Sequence, residues 1–490
     1  MNRNIRRLGV ALMLCYVALF VKLNWIQVID ADDLANNPLN TAPIRQDFNR
    51  ARGAITSGDG VLLAESIPNP DVDSEFDRLR VYPEGELFGH VTGYFSFQFG
   101  ASGLEREYSE ELTGQTFGQQ VRGFADLFVA NENVGNMTVS VRQDLQQIAR
   151  DQLGEREGSV VAIDPRTGEI LSFWSYPTFD PNALSGTDIE ATEQAWALYN
   201  LAPGTPLRAH QYQDRYFPGS TFKVVTGSVG LETGTVTNDE PSYPFVSGYT
   251  APQTDLVISN FGGRVCGGTL PEILAVSCNS SFAQMGTETI GGELMVQGSE
   301  SWGFNRDVPI DMPAPAQSFF PPDVVSNPPK LAQSSIGQSD VQATPLQMAM
   351  VAGAVANGGT MMRPHLMTEI RNRQGSLVDE ADPEPWLTPL SPTNAETMRV
   401  DMIGVVEDGT ATALRIPGFE VGGKTGTAQL GTDPPRSHTW IIGFAGPPGQ
   451  PATVAVAVVV LDQDGGSEAT GGRVAGPIAR AVLEAALARP

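Results

Sequence analysis

The stretch Tyr216-Phe217-Pro218-Gly219-Ser220-Thr221-Phe222-Lys223-Val224-Val225 holds the densest chemistry in this 490-residue chain. Pro218-Gly219 reads as a turn feeding a helix, and residues three apart on a helix share a face. Ser220 and Lys223 are therefore expected to point into one space at a helix N-terminus. A serine hydroxyl is a weak nucleophile until a neighbouring base takes its proton. A lysine crowded by Phe222, Val224 and Val225 is desolvated, which lowers its pKa toward a value useful for that task. The positive end of the helix dipole also favours negative charge building on an oxyanion. An ordinary helix with a surface lysine fits the same spacing, so the pattern alone does not decide.

Lysine usage sharpens the reading. Of 31 basic residues only Lys22, Lys223, Lys330 and Lys424 are lysine. Arginine stays charged under nearly all conditions, whereas a desolvated lysine can lose its proton. A chain that otherwise uses arginine keeps lysine mainly where arginine cannot serve, so Lys223, Lys330 and Lys424 are the positions to inspect.

Two further segments carry candidate chemistry. Val276-Ser277-Cys278-Asn279 lies near the end of a helix opened at Thr269; alone it is a polar loop, and similar pairs recur cheaply at Ser259-Asn260 and Ser391–Asn394. Gly422-Gly423-Lys424-Thr425-Gly426-Thr427-Ala428-Gln429 is more telling. Lys424, Thr425 and Thr427 are expected along one side of a strand, with Gly426 letting a ligand approach the backbone. That combination suits an extended, carboxylate-bearing substrate pairing with a strand edge. A plain glycine-rich edge strand is the competing reading.

Around these segments the pattern is mixed α and β. Gly58-Asp59-Gly60 predicts a hairpin turn, and residues 142–153 a helix ended by Gly154. Ser159–Ile163 and Glu169–Ser175 read as strands. Helical material is then expected to about residue 410, with capping boxes at Thr269/Glu272, Thr344/Gln347 and Thr393/Glu396, and proline-rich loops at 312–329 and 380–392. Three strands follow, Phe419–Gln429, Thr439–Ala445 and Thr453–Asp462, then a closing helix, Pro477–Ala488. Short connections between the last three strands favour antiparallel order.

Composition bounds the partners. With 41% apolar and 18% charged residues the chain can build a core,. A net charge of −25 argues against a nucleic-acid partner, since phosphate binding needs a positive face,. Arg3, Arg6 and Arg7 precede an apolar run spanning residues 8–29, close to the roughly 20 residues that a bilayer-crossing helix needs,. The acids Asp30, Asp32 and Asp33 follow. The positive-inside rule then puts residues 1–7 in the cytoplasm and the rest outside. A cleaved signal peptide is the rival, but no convincing small-x-small site precedes Ile29. Cys15 lies in the apolar run, leaving Cys266 and Cys278 in an oxidising compartment, where they can form a bridge or remain two buried thiols. Spacing does not choose between these. No metal-ligand cluster appears, and the four dispersed histidines, His90, His210, His365 and His438, make a Ser-His-Asp triad unexpected. His438, beside Trp440, reads as structural.

Taken together, S-x-x-K at Ser220–Lys223, S-x-N at Ser277–Asn279 and K-T-G at Lys424–Gly426, in that order, form the signature of the active-site-serine penicillin-recognising enzymes. The chain resembles the class B (monofunctional) penicillin-binding proteins, most closely the actinobacterial penicillin-binding protein A type. Arg52-Gly53-Ala54-Ile55, Gly103-Leu104-Glu105, Ala162–Asp180 and Ser335–Pro345 add to the likeness. The resemblance implies an α/β fold of the serine penicillin-recognising transpeptidase kind. That fold has a five-stranded, mainly antiparallel sheet flanked by helices, an all-helical subdomain, an irregular α+β pedestal and one transmembrane helix. The expected division is a tail (1–7), an anchor (8–29), a pedestal or dimerisation-like domain (30–157) and a transpeptidase domain (158–490).

The family further implies a peptidoglycan D,D-transpeptidase of the plasma membrane, with its catalytic domain extracytoplasmic and no cofactor. Ser220 would form the acyl-enzyme, Lys223 would be the base, and Ser277 would relay a proton. Asn279 would orient the peptide amide, Lys424 would supply positive potential, and Thr425 and Thr427 would bind the terminal carboxylate beside Gly426. Backbone N–H groups of Ser220 and Thr427 would form the oxyanion hole. Implied partners are peptidoglycan stem peptides, β-lactam antibiotics, and division or elongation proteins. The competing readings are a D,D-carboxypeptidase or β-lactamase-like hydrolase and a non-catalytic β-lactam sensor or scaffold. Only seven residues are expected in the cytoplasm, which leaves a sensor little signalling segment. Cys278 fills the middle of S-x-N, so oxidation with Cys266 would bear on Ser277.

Overall fold

The computed structural model describes residues 3–28, 48–71, 73–116, 119, 134–464 and 469–489. The chain divides into two compact units, Met1–Ala51 with Pro68–Leu79, and Arg52–Ile67 with Arg80–Pro490. In the first, Arg3–Val28 is one helix of 26 residues, and its apolar side chains from Leu8 to Val21 are exposed. Its described side chains reach only to Lys22, and among the described residues no helix is long and apolar enough to cross a membrane. The acids expected just beyond the apolar run, Asp30, Asp32 and Asp33, lie outside the described residues. Elsewhere in this unit Phe48 packs edge-on to Phe76 at 5.1 Å.

In the second unit, five strands make the central sheet: β1 (Gly158–Ile163), β2 (Ile170–Tyr176), β3 (Glu420–Gln429), β4 (Arg436–Gly446) and β5 (Val454–Asp464). The order is β3-β4-β5-β1-β2 and every neighbouring pair is antiparallel. β1 is buried throughout and the first seven residues of β5, VAVAVVV, are buried too. Such unbroken apolar runs mark strands covered on both faces. Helix α1 (Gln143–Leu153) packs on β2, α2 is Lys223–Glu232, α3 is Pro345–Ala356, α4 is Pro392–Glu407 and α5 is Gly471–Ala488. α3 lies over Ile163 and Ala455, whereas α5 lies over Ile441, whose partner Val458 is an odd number of residues from Ala455. Alternation along a strand therefore puts α3 and α5 on opposite faces.

Several boundaries differ from the sequence reading for local reasons. The Thr269/Glu272 capping box forms, and Thr344 accepts the Gln347 N–H at α3. At α4 the cap is Ser391, with Pro392 in the first turn, so Thr393 lies inside the helix and Glu396 pairs with Arg399 instead. Proline is favoured there because its missing N–H is one that a helix start leaves unpaired. β4 begins three residues early, at Arg436, which pairs across to Asp464 and forms ion pairs with Asp462 and Asp464. α5 begins at Gly471 rather than Pro477. The expected helical stretch before residue 410 is not wholly helical. Tyr243–Val246 pairs with Cys266–Gly268 and Gly248–Thr250 with Val257–Ser259, because aromatic and β-branched residues between glycines favour strands,. The proline-rich loops also contain structure: Pro322–Ser326 and Pro328–Ser334 are helical turns, and Pro385–Leu387 pairs with Met361–Met362.

A second sheet is built partly from distant sequence. Ile55–Thr56 lies between Leu62–Pro68, across the Gly58-Asp59-Gly60 turn, and the parallel strand Gly135–Val139. Met367–Asn372 and Leu377–Glu380 then extend it, with Ile370 opposite Met137. Beside this sheet Arg52 Nε reaches Glu105 Oε2 at 2.8 Å and Arg80 Nε reaches Oε1 at 2.5 Å. All three side chains are buried. Burial alone would raise the Glu105 pKa, but Arg80 and Arg52 hold it below the usual carboxylate range.

The sign of that shift means that the group stabilises the fold above its ordinary pKa, and that the contribution fades as pH falls through the lowered one. Glu105→Gln leaves two buried guanidiniums unpaired. The expected loss in denaturant unfolding at neutral pH is about 3–5 kcal/mol, whereas an unchanged midpoint would show that the triad adds nothing.

Candidate active site

Ser220 and Lys223 occupy the junction of a 3₁₀ turn, Gly219–Phe222, with α2, of which Lys223 is the first residue. Gly219 has φ +54°, and a Cβ there would meet Thr427 O at 2.9 Å, so glycine lets the turn press against β3,. The Gly219 N–H donates to Gly337 O at 2.9 Å, and Thr226 Oγ1 donates to Ser335 O at 2.8 Å. The Ser335–Val341 segment thus backs the turn. β3 is one of the two edge strands of the sheet, so its outer side carries backbone groups that no neighbouring strand takes up,.

The S-x-N triplet follows from how a short helix ends. Leu270–Ala275 closes with the Cys278 N–H on Ile273 O at 2.9 Å and the Ser277 N–H on Leu274 O at 3.2 Å. This is a Schellman ending, whose left-handed position glycine normally fills. Ser277 holds it instead, with φ +59°, at a cost of roughly 1–3 kcal/mol. The turn aims its hydroxyl at two lysines. Lys223 Nζ lies 3.2 Å from Ser277 Oγ, and Lys424 Nζ donates to the same oxygen at 2.9 Å. Lys223 Nζ also donates to Ser277 O at 2.8 Å and Asn279 Oδ1 at 2.7 Å. The Asn279 Nδ2 group donates to Ser259 O at 3.0 Å.

Both lysines are fully buried. Burial first, and the nearby Lys424 charge second, push Lys223 well below the ordinary lysine range. Burial brings Lys424 down to about 7. As a neutral amine, Lys223 has two N–H donors for its two shortest contacts, a carbonyl and an amide oxygen. Its lone pair is then left facing the Ser277 hydroxyl, which can itself donate.

On β3, Thr425 and Thr427 are two residues apart and share a face, while Lys424, one residue from the first and three from the second, turns to the other. Alternation therefore corrects the expectation of one common side, and it is what lets Lys424 reach Ser277. Gly426 also has a packing reason beside the one expected. A Cβ there would lie 2.8 Å from Pro218 O and 3.0 Å from Thr221 Cγ2, so close packing against the Gly219–Phe222 turn requires glycine. Thr425 Oγ1 donates to Thr410 Oγ1 at 2.8 Å, a contact that the sequence did not signal.

Cys266 and Cys278 form a disulfide, with Cα atoms 5.9 Å apart. Lys330 plays no part here, since it pairs with Asp323 and Asp340. The histidines stand elsewhere. His438 packs edge-on to Tyr216 and accepts the Asp462 N–H, with burial lowering its pKa to about 4. His90 contacts Ser175 and Pro206 O, and His210 pairs with Asp214. His365 contacts Arg363 O.

Ser277→Gly isolates the strain from the chemistry. Glycine relaxes the left-handed backbone, so stability should rise by about 1 kcal/mol, while loss of the hydroxyl should cut acylation by a penicillin about a hundredfold or more. Equal acylation in variant and wild type would remove Ser277 from the reaction.

Residues 158–484 match the penicillin binding protein transpeptidase domain, and residues 52–138 match the penicillin binding protein A dimerisation domain. The chain is 36% identical, over 99% of each chain, to the peptidoglycan D,D-transpeptidase PbpA of Mycolicibacterium smegmatis. It is 35% identical, again over 99% of each, to PbpA of Mycobacterium tuberculosis. The solved imipenem acyl-enzyme complex of penicillin-binding protein A from M. tuberculosis superposes with a TM-score of 0.81 at 34% identity, covering 90% of this chain and 99% of that one. The penicillin G acyl-enzyme complex of the same protein gives 0.79 at 35% identity over 89% and 99%. With its buried lysines meeting at one serine beside an edge strand, this chain belongs to the class B penicillin-binding protein transpeptidases, of the penicillin-binding protein A type.

Proposed function

We propose that the chain is a peptidoglycan D,D-transpeptidase that cross-links stem peptides through a Ser220 acyl-enzyme. The observation that carries this reading is the convergence of two buried amines on the Ser277 hydroxyl, one strongly depressed in pKa, between the Ser220 turn and the edge of β3. The relatives named D,D-transpeptidases and the acyl-enzymes formed by a similar protein support it.

In the first half-reaction Ser220 Oγ attacks the penultimate D-Ala carbonyl. Its proton passes to neutral Lys223, with Ser277 as the relay toward the departing nitrogen. Negative charge on the tetrahedral oxygen falls on the Ser220 and Thr427 N–H groups, each worth about 3–4 kcal/mol. Collapse expels the terminal D-Ala. The amine of a neighbouring stem peptide then attacks the ester, gives up its proton by the reverse route and frees Ser220. Lys424 attracts the terminal carboxylate, which Thr425 and Thr427 bind; Thr425 must turn its hydroxyl from Thr410 to do so. Asn279 spends one Nδ2 proton on Ser259 O and keeps the second for the substrate amide. A β-lactam follows the same course as far as the ester. Only uncharged Lys223 can accept a proton, so acylation rises with pH through its lowered pKa and falls as Lys424 loses its charge.

Outside the site, the exposed apolar helix Arg3–Val28 supports a single-pass anchor over residues 8–29 in the plasma membrane, with 1–7 cytoplasmic. Residues 30–157 then serve as a pedestal offering surface to division or elongation proteins, and 158–490 as the extracytoplasmic transpeptidase. The Cys266–Cys278 bridge fits such an oxidising compartment.

The test is labelling with a fluorescent penicillin, followed by turnover of a stem peptide with and without an amino acceptor. Ser220→Ala should abolish labelling, and the acceptor should divert product from the hydrolysed to the cross-linked peptide. Label retained in Ser220→Ala, or product indifferent to the acceptor, would contradict the assignment.

A further inference from the structure

The Ser277–Asn279 turn is held from a segment that has no part in the chemistry described above. Asn279–Gln284 is a short helix whose N-cap, Cys278, makes no side-chain cap, its sulfur being committed to Cys266. A helix start leaves several N–H groups without partners. Here the Ser280 N–H finds one in Asn260 Oδ1, at 2.8 Å, from 20 residues upstream.

Asn260 is itself fixed. It is 4% exposed and stands at the end of the Val257–Ser259 strand. Its Nδ2 lies 2.8 Å from Val246 O, 3.1 Å from Arg264 O and 3.1 Å from Ser280 Oγ, so two protons face three acceptors. Its own N–H donates to Ser247 O at 3.0 Å. The preceding carbonyl, Ser259 O, takes the Asn279 amide. One side chain thus ties both ribbons of the 243–268 excursion to the helix start that presents Asn279 Oδ1 and Ser277 O to Lys223.

We infer that Asn260 is a positioning residue: capping the Ser280 N–H from outside its helix, it holds the Ser277–Asn279 turn at hydrogen-bonding distance from Lys223. The inference rests on the assignment of Ser220, Lys223 and Ser277 made above. Without the cap the turn loses one of its anchors, Asn279 Oδ1 and Ser277 O drift from the amine, and water reaches it. Among the described residues the titratable neighbour acting on Lys223 is Lys424 of β3. The S-x-N turn and the Phe282 ring, 5.5 Å from Nζ, bring no titratable group. Wetting therefore returns the amine toward its ordinary, higher pKa, because burial is the main cause of its depression.

The measurement is the second-order acylation rate by fluorescent penicillin against pH, in the full chain and in Asn260→Ala, with the Cys266–Cys278 bridge verified by mass. The variant should label completely but about ten- to a hundredfold more slowly, with the acid limb of the profile displaced to higher pH. A purely structural role would lower thermal stability and leave that limb in place. Asn260→Asp keeps the acceptor for Ser280 but sets a carboxylate against the Val246 and Arg264 carbonyls, so it should slow acylation less and move the limb the same way. If the alanine variant does not fold, the aspartate variant carries the test. A wild-type rate and limb in a folded variant would overturn the role of Asn260, whereas labelling that survives Ser220→Ala would instead sink the assignment of the site.

Discussion

Ser277 Oγ lies 3.2 Å from Lys223 Nζ and 2.9 Å from Lys424 Nζ, and both lysine side chains are fully buried. Two ammonium ions held that close repel by several kcal/mol even with generous screening. The conflict is relieved if one of them gives up its proton. On Lys223 both burial and the neighbouring Lys424 charge act to lower the pKa, and it stands one helical turn from Ser220. Two residues of one type are thus set to different protonation behaviour by environment, as the proposed roles of Lys223 and Lys424 require.

Much of the surrounding architecture holds that arrangement close and its two amines buried. Gly426 and Gly219 let β3 and the Ser220 turn pack almost backbone to backbone. The Gly337 carbonyl ties the turn from behind. Ser277 accepts a left-handed backbone so that a hydroxyl, rather than a glycine, terminates its helix at the right spot. Strain of that kind persists where the neighbours over-determine it, and here the Cys266–Cys278 bridge, Ser259 and Asn260 do so.

How much of this could be read from the chain alone depends on distance along the sequence. The antiparallel sheet was legible because apolar runs and short connections are local signals, and the two site lysines stood out because lysine is so scarce. Arg52 and Glu105 were visible only as separate short motifs, with nothing to indicate that they form one buried ion-pair cluster with Arg80. The strands at 367–380 gave no sign that they would complete a sheet begun at Ile55. The cap at Thr393 was misplaced because Ser391-Pro392 offers an equally good start two residues earlier. Ser259-Asn260 looked like one of many cheap polar pairs. Its importance is a matter of which helix start it meets in space, and a one-dimensional pattern cannot show that.

The proposed chemistry turns on burial holding the Lys223 pKa well below the ordinary lysine range in the folded enzyme. With only four lysines in the chain, ¹³Cε-lysine labelling yields a spectrum sparse enough to assign by substitution, and each Cε shift reports the charge on its amine. The account predicts that the Lys223 signal titrates well below the ordinary lysine range and Lys424 near about 7, while Lys330, held between two carboxylates, stays charged to alkaline pH. A Lys223 signal that remains that of an ammonium up to pH 10 would contradict it.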